Sequence, residues 1–292
     1  MESNGERDRS LEKMIKRRLE KAKAAPVPAL DGLSPNEVHH ILYNTFEESC
    51  PLQYRPAIPD EVIEQIPFYK LFREYLDRIS EAGELKLTAK GNLPRKFCKE
   101  MYGLGIIKEE YIESGLVKLN READSLVLSN LKVIGNLTGI TKKRNNKLSL
   151  TKKGRELYQP DRQFDLFRDL FETNIFKFNL GYHDGYPQES GVQQVLPFTL
   201  YLLLKYGKEQ REIEFYVDKN LKAFPRLLMH FGSDWSAPES QFRNCYKIRI
   251  FARCLDYYGF VDMETEQIPK QLDDKVMIEA TDLFEKVFEI RK

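Results

Sequence analysis

Residues 140–155 read ITKKRNNKLSLTKKGR and hold seven cations, Lys142, Lys143, Arg144, Lys147, Lys152, Lys153 and Arg155, with no acid among them. Ammonium and guanidinium groups gathered in this way can neutralise the phosphates of a nucleic acid and release its counterions, which makes affinity fall with salt. A second basic set, Arg243, Lys247 and Arg253, lies in SQFRNCYKIRIFARCLDYY. At helical spacing these three could share an outer face, with Ile248, Phe251, Ala252 and Leu255 packed inward.

Catalytic chemistry is less well provided for. The chain has no GxxxxGK[ST] phosphate loop, no GxGxxG after a strand, no GxSxG and no HExxH. With four histidines, general-base options are few. His183 and Asp184 in GYHDGY are adjacent in a Gly-rich loop, where a hydrolase or nuclease could use them, although Asp beside Gly is ordinary turn chemistry. His39 and His40 are consecutive, so on a helix they point about 100° apart and do not chelate one ion together. Cys50, Cys98, Cys245 and Cys254 form no CxxC pair, which fits buried reduced thiols better than a zinc or redox site. The expectation is a non-enzymatic protein without metal or cofactor.

The elements that must carry these residues are legible in outline. The chain has 292 residues, 46 basic against 45 acidic, for a formal net charge of +1, so any attraction to a polyanion must be local. Hydrophobic residues make up 41%, including 18 Phe and 15 Tyr, enough for one large or two medium cores. No apolar run approaches the roughly 20 residues of a membrane span, and MESNGERDRS lacks a signal-peptide core. A cytoplasmic protein that does not engage membranes is expected.

Along the chain, residues 1–33 read as a flexible basic N-terminal arm, with Leu11, Met14, Ile15 and Leu19 on one face of a short helix. In LSPNEVHHILY, Ser34, Pro35 and Glu37 form a capping-box helix start. IPFYKLFREYLDRISEAG has helical spacing and ends near Gly83, and ELKLT alternates like a short strand. GITKK and KLSLT read as strands around a tight turn, followed by a helix in KGRELY; GFVDMET and KVMIEAT repeat the pattern, followed by TDLFEKVFEI. Each hairpin is preceded by a long helix candidate, DSLVLSNLKVIGNL and SQFRNCYKIRIFARCLDYY. The fold class is therefore mainly α with short β-hairpins (α+β), in two units spanning 34–160 and 161–292.

The motif L-x-L-T-x-K-G at Leu148–Gly154, the stretch GITKKRNNKLSLT and a weaker echo from Tyr258 to Phe284 resemble the end of a winged-helix domain, in which helices precede a two-stranded wing. LSPNEVHHILY together with LKLTAKGNLPRKF is also similar to a group of uncharacterised bacterial proteins, some with a cysteine-rich metal-binding tail that has no counterpart in this chain. The winged-helix resemblance implies tandem winged-helix-like units that bind nucleic acid through basic wings, with a regulatory role as one use of that binding. The helix ahead of the first hairpin offers only Asn130, Lys132 and Asn136 for reading bases, so contact is expected to be mainly with the backbone. The alternative is a protein-interaction scaffold binding a protein partner or a second copy, with Tyr182, Tyr186, Trp235, Tyr257 and Tyr258 as anchors.

Overall fold

Where Ser or Thr precedes an apolar run, a helix starts. The computed structural model describes residues 4–182, 184–187, 191–232, 236–266 and 275–291. Helix α1 (Asn4–Ala24) is followed by α2 (Pro35–Tyr43), strand β1 (Leu52–Tyr54), α3 (Asp60–Ile63), α4 (Pro67–Ala82), β2 (Leu85–Lys86), α5 (Arg95–Tyr102), α6 (Glu110–Glu113) and α7 (Leu126–Leu137). The first hairpin, β3 (Thr141–Arg144) and β4 (Lys147–Leu150), leads into α8 (Lys152–Leu157) and the central α9 (Gln163–Phe176). Then come α10 (Leu196–Tyr206), β5 (Arg211–Glu212), α11 (Ile213–Ala223) and α12 (Pro238–Tyr246), which runs on as a π-helical stretch over Lys247–Leu255. The second hairpin, β6 (Val261–Glu266) and β7 (Lys275–Ala280), precedes α13 (Asp282–Val287) and β8 (Phe288–Ile290). The chain is mainly helical with small antiparallel sheets.

The capping box at Ser34 is formed, with the Ser34 hydroxyl accepting from the Glu37 amide at 3.3 Å and the Glu37 carboxylate accepting from the Ser34 amide at 2.7 Å. Thr151 and Thr281 cap α8 and α13 in matching ways. Each hydroxyl accepts from the amide three residues on, and each donates to a glycine carbonyl before the hairpin, Thr151 to Gly139 at 2.6 Å and Thr281 to Gly259 at 2.7 Å. The glycine of the LxLTxKG motif has a steric reason: a Cβ on Gly154 would lie 2.2 Å from the Ile140 carbonyl oxygen.

Two three-stranded sheets share one plan. Their strand orders are β2-β4-β3 and β5-β7-β6, so in both the hairpin's second strand sits between its partner and a two-residue strand that follows a long helix. A third, two-stranded sheet pairs β1 with β8 and so joins the two ends of the chain. An aromatic core forms around α9. Phe167 and Phe171 of α9 pack with Tyr54, Tyr258, Phe260 and Phe288 at centroid separations of 5.0–6.4 Å, in the offset and edge-on arrangements that aromatic pairs favour.

Several expectations are corrected. The segment TDLFEKVFEI is helical only to Val287, because residues 288–290 pair with β1. The phrase ELKLTAKGNLP, which like KLSLTKKGREL reads as a strand directly before a Thr and a helix start, has a turn closed by Thr88 and Gly91 first, and α5 starts only at Arg95. The expected arm of residues 1–33 divides in two. Leu11, Met14, Ile15 and Leu19 of α1 are exposed, while Asp31 is buried and held by Lys205, Lys219 and Tyr206. Tyr257 and Tyr258 are core residues and not surface anchors, and Trp235 lies outside the described residues.

Candidate nucleic-acid interface

The first hairpin turns through Asn145 and Asn146, both left-handed (φ 50° and 54°). A two-residue loop of this kind matches the twist of its strands, and Asn tolerates the conformation better than most side chains. The register places Lys142 opposite Ser149, Lys143 opposite Leu148 and Arg144 opposite Lys147. On the other side of β4, Lys86 faces Lys147 and Leu85 faces Leu148. Residues directly opposite share a face of the sheet, so Leu85, Leu148 and Lys143 lie on one side and Lys86, Lys147 and Arg144 form a row across all three strands on the other. Lys142 joins the row's face two positions along β3.

Burial follows this division except at Lys143, which is exposed although it lies on the side of Leu148. Leu148 and Leu150 are in the core, whereas Lys86, Lys142, Lys143, Arg144 and Lys147 are exposed. The Lys143 ammonium rests against the turn at Gly91, where a Cβ would lie 2.0 Å from Nζ. Lys147 pairs with Glu84 at 2.6 Å. That hydrogen bond, together with the charge of Lys147 and then of Lys142, holds the Glu84 carboxyl below its usual range. Among the described residues Lys86, Lys142, Lys143 and Arg144 make no ion pair.

The remaining predicted cations are engaged differently. Lys152 lies 3.9 Å from Glu156, and Lys153 donates to the Thr138 carbonyl at 2.9 Å and pairs with Asp169 at 2.5 Å. Both therefore brace α8. On the long helix ahead of the second hairpin Arg243 is buried and paired with Glu214, Lys247 is half-buried, and Arg253 donates to the Tyr182 carbonyl at 2.7 Å. The expected common outer face of Arg243, Lys247 and Arg253 is absent: Arg243 turns inward to Glu214 within α12, and the helix changes pitch from Lys247 on. Over Lys247–Leu255 the backbone bonds reach five residues back, as from the Asp256 amide to Phe251 at 2.9 Å, which shifts each side chain from its α-helical bearing. Arg249, Ile250, Phe251, Cys254 and Leu255 turn inward as a result.

The second sheet also differs in charge. Asp262 stands opposite Glu279 and Glu264 opposite Met277, whose other neighbour is Glu212. The positions matching Lys86 and Arg144 are thus Glu212 and Glu264, with Met277 between them, while the cations of this sheet, Arg211 and Lys275, are paired with Glu209 and Glu212.

The helix ahead of the first hairpin is held by two buried acids. Glu109 accepts from the Leu126 and Val127 amides at 2.9 and 3.2 Å, placing negative charge at the start of α7, where the helix dipole favours it. Glu122 pairs with Lys132 at 2.5 Å and accepts from the Leu93 amide at 2.6 Å. Of the three expected base readers, Asn130 is buried and Lys132 is spent on Glu122, leaving Asn136 exposed. In the GYHDGY loop, Asp184 accepts from Arg249 Nε at 2.5 Å with both side chains buried, and His183 lies outside the described residues.

Sequence reasoning missed Lys86, although its signal was present: in ELKLT the alternation that buries Leu87 puts Lys86 outward. All four cysteines are buried free thiols, and burial pushes Cys98 up to about 12. Among the described residues no group of three or more His, Cys, Asp or Glu is placed to hold a metal ion. No helix of the described residues is long and apolar enough to cross a membrane. No family model, curated protein or solved structure matches the chain.

Proposed function

We propose that the protein is a non-enzymatic nucleic-acid-binding protein made of two winged-helix-like units, of which the first grips the phosphate backbone through its wing. The topology supports the architectural part. In each unit a helix, a short strand, further helices and a hairpin follow in order, and the hairpin's second strand sits centrally.

The observation that carries the functional part is the row Lys86, Lys147 and Arg144. Like charges directly opposite on adjacent strands destabilise a sheet by a few tenths to about 1 kcal/mol per pair, and Glu84 offsets only one of these three cations. A solvated surface gains nothing from such a row, whereas a phosphate backbone lying across it would pair with each charge in turn. Base reading is a minor part of this account, since α7 exposes little that could do it. The second hairpin carries Asp262, Glu264 and Glu279 and is given no part in phosphate contact. The test is fluorescence anisotropy of a labelled DNA duplex titrated with the protein over a range of salt concentrations.

A second reading, docking of a protein partner or a second copy on α1, rests on its exposed Leu11, Met14, Ile15 and Leu19. It is compatible with the first, since the two surfaces are separate.

A further inference from the structure

A cavity of about 1020 Å³ lies away from the hairpin, between the end of α2, the end of α9 and the segments 191–197 and 224–230. Its size is at the upper end of what small-molecule sites offer, and such sites are mostly apolar with a few polar groups that orient the ligand. Leu42, Ile175, Phe178, Val195 and Leu227 give it apolar walls, and the exposed rings of Tyr43 and Phe176 stand at its edge.

Its charge is one-sided. Lys177, Arg226, His230 and Arg249 line it, and among the described residues no Asp or Glu does, in a chain whose acids and bases are nearly equal in number. Arg249 is already matched by Asp184. Lys177 and Arg226 are exposed and make no ion pair among the described residues. The acid whose field Lys177 shares, Glu172, is not part of the lining and accepts from the Tyr54 hydroxyl at 3.4 Å.

We infer that this cavity binds a small amphiphilic anion, its hydrocarbon portion against the apolar walls and its carboxylate or comparable head between Lys177 and Arg226. Desolvated apolar wall and uncompensated cation in one cavity complement such a molecule on both counts. A cationic amphiphile of the same length would meet like charge at the mouth.

The probe is dodecanoate, titrated calorimetrically below its micelle threshold into the full-length protein, with dodecyltrimethylammonium as the charge-reversed counterpart. Saturable one-to-one binding of dodecanoate is expected, with no saturable binding of the ammonium compound. The double variant Lys177→Gln/Arg226→Gln, at two exposed positions, should keep its circular dichroism spectrum and lose affinity for dodecanoate by about tenfold or more, the scale of one charge-assisted contact. Absence of saturable dodecanoate binding, equal binding of both amphiphiles, or unchanged affinity in the folded double variant would each overturn the assignment.

Discussion

Lys86 and Lys147 stand directly opposite each other on β2 and β4, and Arg144 flanks Lys147 from β3, so three cations cross the first sheet in one row. Such a row costs the fold something. Replacing Lys86 with Thr, a good strand former without charge, should raise stability by about 0.5 kcal/mol. Urea unfolding at low salt reads this directly, and the gain should shrink at high salt as repulsion is screened. Unchanged stability at low salt would mean that the row carries no strain.

Thr151 and Thr281 close the two hairpins onto their helices by the same pair of hydrogen bonds. Changing either to Ala removes a helix cap and leaves a glycine carbonyl without its partner, at a cost of about 1–2 kcal/mol. Changing either to Ser should recover most of that loss, because the hydroxyl is retained. Thermal unfolding of the four single variants gives the comparison.

Asp31 fastens the segment before α2 to α10 and α11. Burial pushes its carboxyl up, but hydrogen bonds from Lys205 and Lys219 outweigh burial and hold it below the usual carboxylate range. A carboxyl depressed in the folded state contributes stability above its unfolded pKa, about 3.9, and that contribution is lost as pH falls through the lower folded value. Asp31→Asn should therefore be less stable than wild type by about 2 kcal/mol near neutrality, a buried-pair loss discounted for the partial exposure of both lysines. The gap should stay constant down to about pH 5 and close below about pH 4. Chemical denaturation from pH 7 to 2.5 follows it.

How much of this was readable beforehand depends on the range of the interaction. The Ser34 capping box, the Thr151 cap and the Asn-Asn hairpin are set by neighbours a few residues apart, and the sequence marks them. The pairing of β1 with β8 joins residues at opposite ends of the chain, and no local pattern announces it; the residues 288–290 look helical until a strand partner claims them. Arg243 turns inward to Glu214, a partner 29 residues away that no local spacing announces, and the helix beyond it becomes π-helical from Lys247, which an α-helical period does not anticipate. Asp31 reads as part of the flexible basic arm of residues 1–33, since its lysine partners lie more than 170 residues away. At the hairpin the positions of the cations were legible, but not which of them are spent on Glu84, Glu156 and Asp169.

The most direct test is the salt dependence of duplex DNA binding by wild type and by the triple variant Lys86→Ala/Lys142→Ala/Arg144→Ala, whose sites are exposed and tolerant. For wild type, log Kobs should fall linearly with log salt, and in the triple variant the slope should be shallower by about 2.7, or 0.9 for each phosphate contact removed. No binding by wild type at about 50 mM salt, or the same slope in both proteins, would contradict phosphate contact by this wing.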